Sequence, residues 1–249
     1  MKTQDLIHDF DTLFEPGRFP DVSQNGLQIQ GRQETAKVLF AVDASLEAAR
    51  RAAQGGYDLL VVHHGLFWSQ PVYVRGYMKE RLKTFLLNDV GLYAMHLPLD
   101  EHPELGNNVS LALEAGIRKE GPLVYYKGIP FGVKGSFDKP QPLEEIRRRL
   151  SSSYTGGYVI DGGKPVSTVG VITGDAGSLL EDILRSGIDL FISGEMTHAM
   201  VHPFTESGLS GLFYGHYATE RGGILRLMEY VRRMYPGIEC DFFEYETNL

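Results

Sequence analysis

The sequence predicts an α/β protein of two related lobes, each built on a mixed, mostly parallel sheet. Two observations carry that prediction. Short, uninterrupted apolar runs alternate with amphipathic stretches from residue 38 onward, the order that places helices over both faces of a parallel sheet. The same order then recurs in the second half of the chain, and the two halves align with each other.

The N-terminus has a helix-like stretch carrying acidic residues and His8, without the apolar core of a secretory signal. Val38-Leu39-Phe40-Ala41-Val42 reads as a buried strand. Ser45 is placed to cap the helix that follows through Leu46–Ala49 and Ala52, and Gly55-Gly56 stops it. Asp58-Leu59-Leu60-Val61-Val62 is a second buried strand. Helical spacing returns from Met78 to Leu87, and Leu92-Tyr93-Ala94-Met95 is a third strand.

In the second half, Val169-Gly170-Val171-Ile172 is a strand and Leu179–Leu184 lies in a helix stopped by Ser186-Gly187. Asp189–Ile192 and Gly211–Tyr214 are further strands, and a long helix runs from about Ala218 to Met234. The segment from Val38 aligns with that from Val169 at an offset of 131, and "GLYAMHLPLD" aligns with "GLFYGHYATE" at 120. His96 then faces His216, and Asp100 faces Glu220. These features divide the chain into a first lobe at 1–120, a middle segment at 121–165 and a second lobe at 166–249. The middle segment holds strand-like Leu123–Tyr126 and Phe131–Gly135. It also holds a helix from Pro142 to Leu150 whose early acids and late arginines suit the helix dipole.

Composition narrows the function. Hydrophobic residues make up 43% and charged residues 22% of the 249 positions, as in ordinary globular proteins. The net charge is −8, and no basic block exceeds Arg147-Arg148-Arg149, so no nucleic-acid partner is expected. No apolar run is long enough to span a bilayer, so no membrane partner is expected either. The single cysteine, Cys240, permits no intrachain disulfide; this fits a cytoplasmic location, and Cys240 reads as a buried thiol.

Chemistry-bearing residues gather where the strands end, which is where open α/β sheets place ligands. His63-His64-Gly65 follows Val61-Val62. Adjacent strand side chains point to opposite faces, so both rings reach one ion only if the strand ends or twists there; a hydrogen-bonded pair closing the strand is the other reading. In His96-Leu97-Pro98-Leu99-Asp100, both His96 and Asp100 could ligate, or one could support the other. His216 and Glu220 stand one helical turn apart, a chelating spacing. Glu195, with His198, follows the strand that ends at Ser193.

Imidazoles and carboxylates without thiolate suit Zn, Mn, Fe, Co or Ni and disfavour calcium. His63, His64, Asp100, His216 and Glu220 are too many for a three-ligand zinc and suit two divalent ions about 3.5–4 Å apart. No Walker A loop, dinucleotide fingerprint or esterase elbow is present.

The order Asn25-Gly26-Leu27-Gln28, Val62-His63-His64-Gly65, His96–Asp100, Gly106-Asn107-Asn108, Ser193-Gly194-Glu195 and Gly215-His216 through Thr219-Glu220-Arg221-Gly222-Gly223 resembles the YbgI-like family. Its members are usually labelled GTP cyclohydrolase I type 2 homologues. The resemblance runs from about residue 20 to the C-terminus and matches the short bacterial form. It implies two intertwined lobes and a ring-shaped homo-hexamer whose metal pairs face an internal cavity. By that pattern His64 and Asp100 hold one metal, His63 and His216 the other, and Glu220 bridges them. The expectation is a metal-dependent hydrolase of a nucleotide or related small molecule, with Glu195 or His96 as proton shuttle. Its alternatives are a non-catalytic metal-handling or regulatory scaffold and a metal-free structural protein.

Overall fold

The computed structural model describes residues 1–247. It divides into two compact units, one of Met1–His102 and Gly223–Tyr245, the other of Pro103–Gly222 with the last residues from Glu246. In chain order the first unit holds α1 (Thr3–Phe14), β1 (Gly26–Ile29), β2 (Lys37–Asp43), α2 (Leu46–Gln54), β3 (Leu59–His64), α3 (Tyr77–Leu87), β4 (Gly91–Ala94) and the single turn α4 (Leu97–Asp100). The second unit holds α5 (Asn107–Glu114), β5 (Arg118–Gly121), β6 (Val124–Tyr126), β7 (Ile129–Phe131), β8 (Val133–Gln141) and α6 (Leu143–Leu150). It continues with β9 (Tyr158–Ile160), β10 (Val166–Ile172), α7 (Leu180–Arg185), β11 (Leu190–Ser193), α8 (His198–Ser207) and β12 (Ser210–Phe213). Helix α9 (His216–Met234) carries the chain from the second unit back to the first, where β13 (Glu239–Phe242) follows.

The first sheet has the order β1-β4-β3-β2-β13, with β4, β3, β2 and β13 parallel and β1 antiparallel at one edge. Period-two alternation assigns its two faces. Leu39, Ala41, Leu60, Val62 and Leu92 pack under α2 and α3 against Ala48, Ala49, Ala52 and Phe85. Tyr93 faces the other way, its ring centre 5.1 Å from that of Phe10 in α1 and its hydroxyl donating to Asp11 Oδ1 at 2.9 Å. Each fully buried large side chain contributes roughly 1.5–3 kcal/mol. Ser45 caps α2 by accepting Ala48 N–H at 3.0 Å, and Gly56 takes φ +69° where that helix ends.

The second sheet has the order β5-β8-β10-β11-β12-β9. Its centre, β10-β11-β12, is parallel, and β8 and β9 flank it antiparallel. Leu111, Ile146 and Leu150 cover one face against Val169, Val171, Leu190, Ile192 and Leu212. Phe204 of α8 covers the other against Phe191 and Phe213, with ring centres 6.1 and 5.8 Å away. The β6–β7 hairpin turns at Lys127-Gly128, both at positive φ, the two-residue turn that matches strand twist.

The α/β class and the repeated β-α-β order are therefore present, and the registers repeat too. Leu59 pairs with Val38 and Gly91, while Leu190 pairs with Val169 and Ser210. The first two strands correspond at the expected 131 (38 to 169, 59 to 190), but the third corresponds at 119 (91 to 210) rather than 120. The shift continues into the helix: Asp100 N–H bonds His96 O, as Thr219 N–H bonds Gly215 O. By backbone register His96 thus matches Gly215, not His216, because ladder hydrogen bonds rather than the shared Gly-Leu-aromatic triplet fix the correspondence.

The partition also differs from the lobes drawn at 1–120, 121–165 and 166–249. It falls at His102–Pro103 and, inside α9, at Gly222–Gly223. The segment 121–165 supplies β8 and β9, which are strands of the second sheet, and residues 223–245 return to the first sheet through β13. Cys240 lies buried in β13, its thiol pushed up to about 11 by burial. Among the described residues no helix is long and apolar enough to cross a membrane.

Candidate metal centre

In the first unit, β4 stops pairing at Ala94, opposite Val62, while β3 runs on through His63 and His64. Both histidines therefore stand at the carboxyl edge of the sheet, beyond the end of β4. Their strand ends at His64, as the sequence reading allowed, and the two rings come together where its pairing stops. The His63 and His64 ring centres are 4.5 Å apart, and that of His96, the residue leading into α4, lies 5.2 and 5.6 Å from them. One potential ligand atom from each ring falls within 4.8 Å of the other two.

Each ring is anchored through Nδ1. His63 Nδ1 donates to Met95 O at 2.9 Å, His64 Nδ1 meets Asp43 Oδ1 at 2.9 Å, and His96 Nδ1 meets Asp21 Oδ1 and Oδ2 at 2.9 and 3.1 Å. A neutral imidazole that donates from Nδ1 carries its lone pair on Nε2, the arrangement that orients metal-ligating histidines. Asp100, in the turn α4, is buried, with Oδ1 3.5 Å from His63 Nε2. The donors present fit a divalent transition ion: neutral imidazole with a carboxylate beside it.

The surrounding loops are fixed by residues from before β2. Asp21 is almost wholly buried; besides His96 it accepts Ser23 N–H, Leu97 N–H and Asn25 Nδ2. Burial alone would raise its pKa, but the His96 imidazole and these donors hold the carboxyl well below the usual range. Asn25 Oδ1 accepts His96 N–H at 2.8 Å. Gln28 Oε1 accepts Leu66 N–H at 2.7 Å and Phe67 N–H at 3.3 Å, and its amide fills the space where a side chain on Gly65 would stand. The indole of Trp68 lies edge-on to His96 at 5.2 Å.

In the second unit, His216 opens α9 between two carboxylates. Its Nδ1 meets Glu195 Oε1 at 2.6 Å and its Nε2 meets Glu220 Oε2 at 3.1 Å. Burial would lower the imidazole pKa, but Glu220 and Glu195 outweigh it and raise it to about 9. Glu220 is buried, and room for its carboxylate exists because Gly174, at φ +62°, has no side chain. Gly194 N–H and Glu195 N–H both bond Gly174 O, and Thr219 Oγ1 accepts Gly174 N–H, so three short segments lock together around the cluster. Asn108 Oδ1 accepts Thr173 N–H at 2.8 Å beside it.

At the carboxyl ends of β11 and β12 lies an open cavity of about 870 Å³, walled by Glu195, Thr197, His198, Tyr158, Tyr217 and Arg221 among others. That is the ligand position for a parallel sheet. Glu195, named as a shuttle from the sequence, thus touches both His216 and open space. His96, the other named shuttle, is turned into the histidine cluster.

Sequence reasoning names His63, His64, His96 and Asp100, which gather in one unit, and His216, Glu220 and Glu195, which gather in the other. It misses Asp21, Asp43 and Gly174. Asp43 carries a signal, since it too ends an apolar strand; Asp21 sits in an aperiodic stretch and carries none.

A family model described as Duf34/NIF3 (NGG1p interacting factor 3) matches residues 1–249. A relative from Archaeoglobus fulgidus named GTP cyclohydrolase 1 type 2 homolog is 37% identical, with both chains covered fully. A solved structure described as protein ybgI, of unknown function, superposes with a TM-score of 0.92 at 33% identity over all of both chains. That of TTHA1606 from Thermus thermophilus superposes with 0.89 at 37%, again over all of both chains.

Proposed function

The chain is a member of the Duf34/NIF3 family, and on that premise we propose that it binds two divalent transition-metal ions and acts as a metal-dependent hydrolase on a nucleotide or related small molecule. The observation carrying the reading is the gathering of His63, His64, His96 and Asp100 at one sheet edge, each imidazole turned by an oxygen on Nδ1. The ligands proposed for the pair are His63, His64, Asp100, His216 and Glu220, with Glu220 as the shared carboxylate. The name of the Archaeoglobus fulgidus relative supports a nucleotide as the first substrate to test.

A bound pair would act as a Lewis acid and lower the pKa of water for attack at neutral pH. The chain's own residues do the rest. Asp21, Asp43 and Met95 O keep the imidazoles in one tautomer. Glu195 holds His216 by Nδ1 and, half-exposed at the cavity wall, can pass a proton between the cavity and solvent.

A second reading, metal handling without catalysis, has an observation in its favour. Among the described residues lining the cavity, Glu195 and Glu246 face only Arg221 as a guanidinium or ammonium group, which is not a cradle for a polyphosphate. We also propose self-association into a ring and a cytoplasmic location, both resting on the family resemblance.

The decisive experiment is metal content of protein purified without added ions, followed by turnover assays with GTP and other nucleotides. Two ions per chain, reduced in His63→Ala and Glu220→Ala, support the metal reading. Turnover lost in Glu220→Ala supports hydrolysis, and metal-loaded protein that turns over no nucleotide sinks it in favour of metal handling.

A further inference from the structure

We propose that the cavity at the carboxyl ends of β11 and β12 binds a guanine ring, as base or nucleoside rather than triphosphate, with Glu195 reading its donor edge and Tyr158 stacking on its face. This rests on the nucleotide reading above and narrows its substrate class.

Three strands bring the two residues to one rim. Glu195 follows β11, and the adjacent β12 ends at Phe213, which pairs with Tyr158 at the start of the antiparallel edge strand β9. The turn before Tyr158 hugs that end: a side chain on Gly157, at φ +97°, would stand 2.5 Å from Phe213 O. The cavity these residues wall holds about 870 Å³, within the range of small-molecule sites. Tyr158 is 53% exposed, and no described residue stacks on its ring. A large aromatic side chain held bare at a cavity wall is a platform for a planar base.

Glu195 supplies the selection. Its Oε1 meets His216 Nδ1 at 2.6 Å and its N–H bonds Gly174 O, so the carboxylate is held from both ends. A carboxylate has about four lone-pair sites, and His216 takes one of them. Oε2 has no partner among the described residues, and the side chain is 43% exposed. Two adjacent N–H donors fit what remains. Guanine presents its ring N1–H beside its 2-amino group. Adenine and cytosine instead set a ring-nitrogen lone pair beside the amino group, which the carboxylate repels. Phosphates gain nothing here, because Arg221 is outnumbered by Glu195 and Glu246 on the same wall.

The test is titration calorimetry on the full chain at low ionic strength with guanosine, 1-methylguanosine, adenosine and GTP. Guanosine should bind at least about tenfold tighter than 1-methylguanosine or adenosine, the effect of an unmatched donor edge. It should also bind about tenfold tighter than GTP, whose charge meets two carboxylates. Tyr158→Ala should weaken guanosine at least about fivefold, and Tyr158→Phe should not. Glu195→Gln should narrow the gap between guanosine and 1-methylguanosine. The proposal is overturned if guanosine does not bind, binds no tighter than adenosine, or binds less tightly than GTP. It is also overturned if Tyr158→Ala leaves guanosine affinity intact or Glu195→Gln leaves that gap intact. Nucleotide turnover alongside any of those results leaves the hydrolase reading standing. Guanosine bound as expected, with no nucleotide turned over, sinks hydrolysis and keeps the site.

Discussion

Asp58 and Asp189, 131 residues apart, perform the same task in the two units. Asp58 Oδ2 accepts Ala36 N–H and Lys37 N–H at 2.8 and 3.0 Å, and Asp189 Oδ2 accepts Ser167 N–H and Thr168 N–H at 3.0 and 2.8 Å. Each carboxylate begins the middle parallel strand and closes off the start of its neighbour. Two lobes sharing a sheet order could have converged; sharing this contact at the strand offset strengthens the reading of an internal duplication.

Replacing either aspartate by asparagine is expected to cost about 1.5–3 kcal/mol, since charge-assisted bonds to partly buried amides are lost. The pH dependence follows from the depressed pKa of both groups. Burial would raise them, but the N–H donors outweigh it, aided by Arg32 at Asp58 and by the Thr168 hydroxyl at Asp189. A carboxyl whose folded pKa lies below its unfolded value near 3.9 stabilises the fold above that value and stops doing so as pH falls through the folded one. Urea titrations between pH 2 and 6 should show wild-type stability falling below about pH 4, and less steeply in the double Asn variant. Equal slopes would remove the assignment.

Gly174→Ala should leave the chain folded, at a cost of about 1–2 kcal/mol for a side chain in left-handed backbone. The new methyl would stand on Glu220 Oε1 and 3.1 Å from His216 Nε2. Metal uptake measured against a competing chelator should fall at least about tenfold, in the range of lost supporting contacts. Wild-type uptake would mean that the Glu220 carboxylate has no part in binding.

Gln28→Ala removes the acceptor for Leu66 N–H and Phe67 N–H directly after the histidine pair. Thermal unfolding should report a loss of about 1–3 kcal/mol, the cost of stranding partly buried amides. Hydrogen exchange at 66 and 67 should accelerate while exchange in β10–β12 does not change.

Ser45→Ala, far from the histidines in function though close in chain, should cost about 1 kcal/mol by removing the N-cap of α2. Metal affinity should stay at the wild-type value; a parallel drop would show that α2 transmits to the cluster.

Much of this architecture is legible in the sequence where one rule dominates locally. β2, β3, β4, β10, β11 and β12 are built on uninterrupted apolar runs, and Ser45, Gly55-Gly56 and Ser186-Gly187 punctuate helices by their own chemistry. Edge elements are not legible in that way. The strand Arg118–Gly121 is almost fully exposed and polar, so neither periodicity nor apolarity marks it. Helix α8 carries Pro203 in its interior, which argues against a helix there until tertiary packing of Met200 and Phe204 is known. The boundary inside α9 is silent because helical periodicity continues across it. For the candidate site, the histidines and acids at strand ends are legible because sheet topology fixes where strand ends go. Asp21 is not, because the contact that ties it to the site is with His96, 75 residues away.

The strand β13 pairs with β2, and Tyr57 reaches it by donating to Asp241 at 2.7 Å. Residues 37–43 thus wait for residues 239–242, which leave the ribosome long after them, before their sheet acquires its outer border. Until then β2 presents an unpaired flank with an apolar centre, a surface on which a second nascent chain could add a strand. Emergence of residues 239–242 is what seals the first unit, so shortening the chain before residue 239 should convert a well-behaved protein into one that clumps during synthesis.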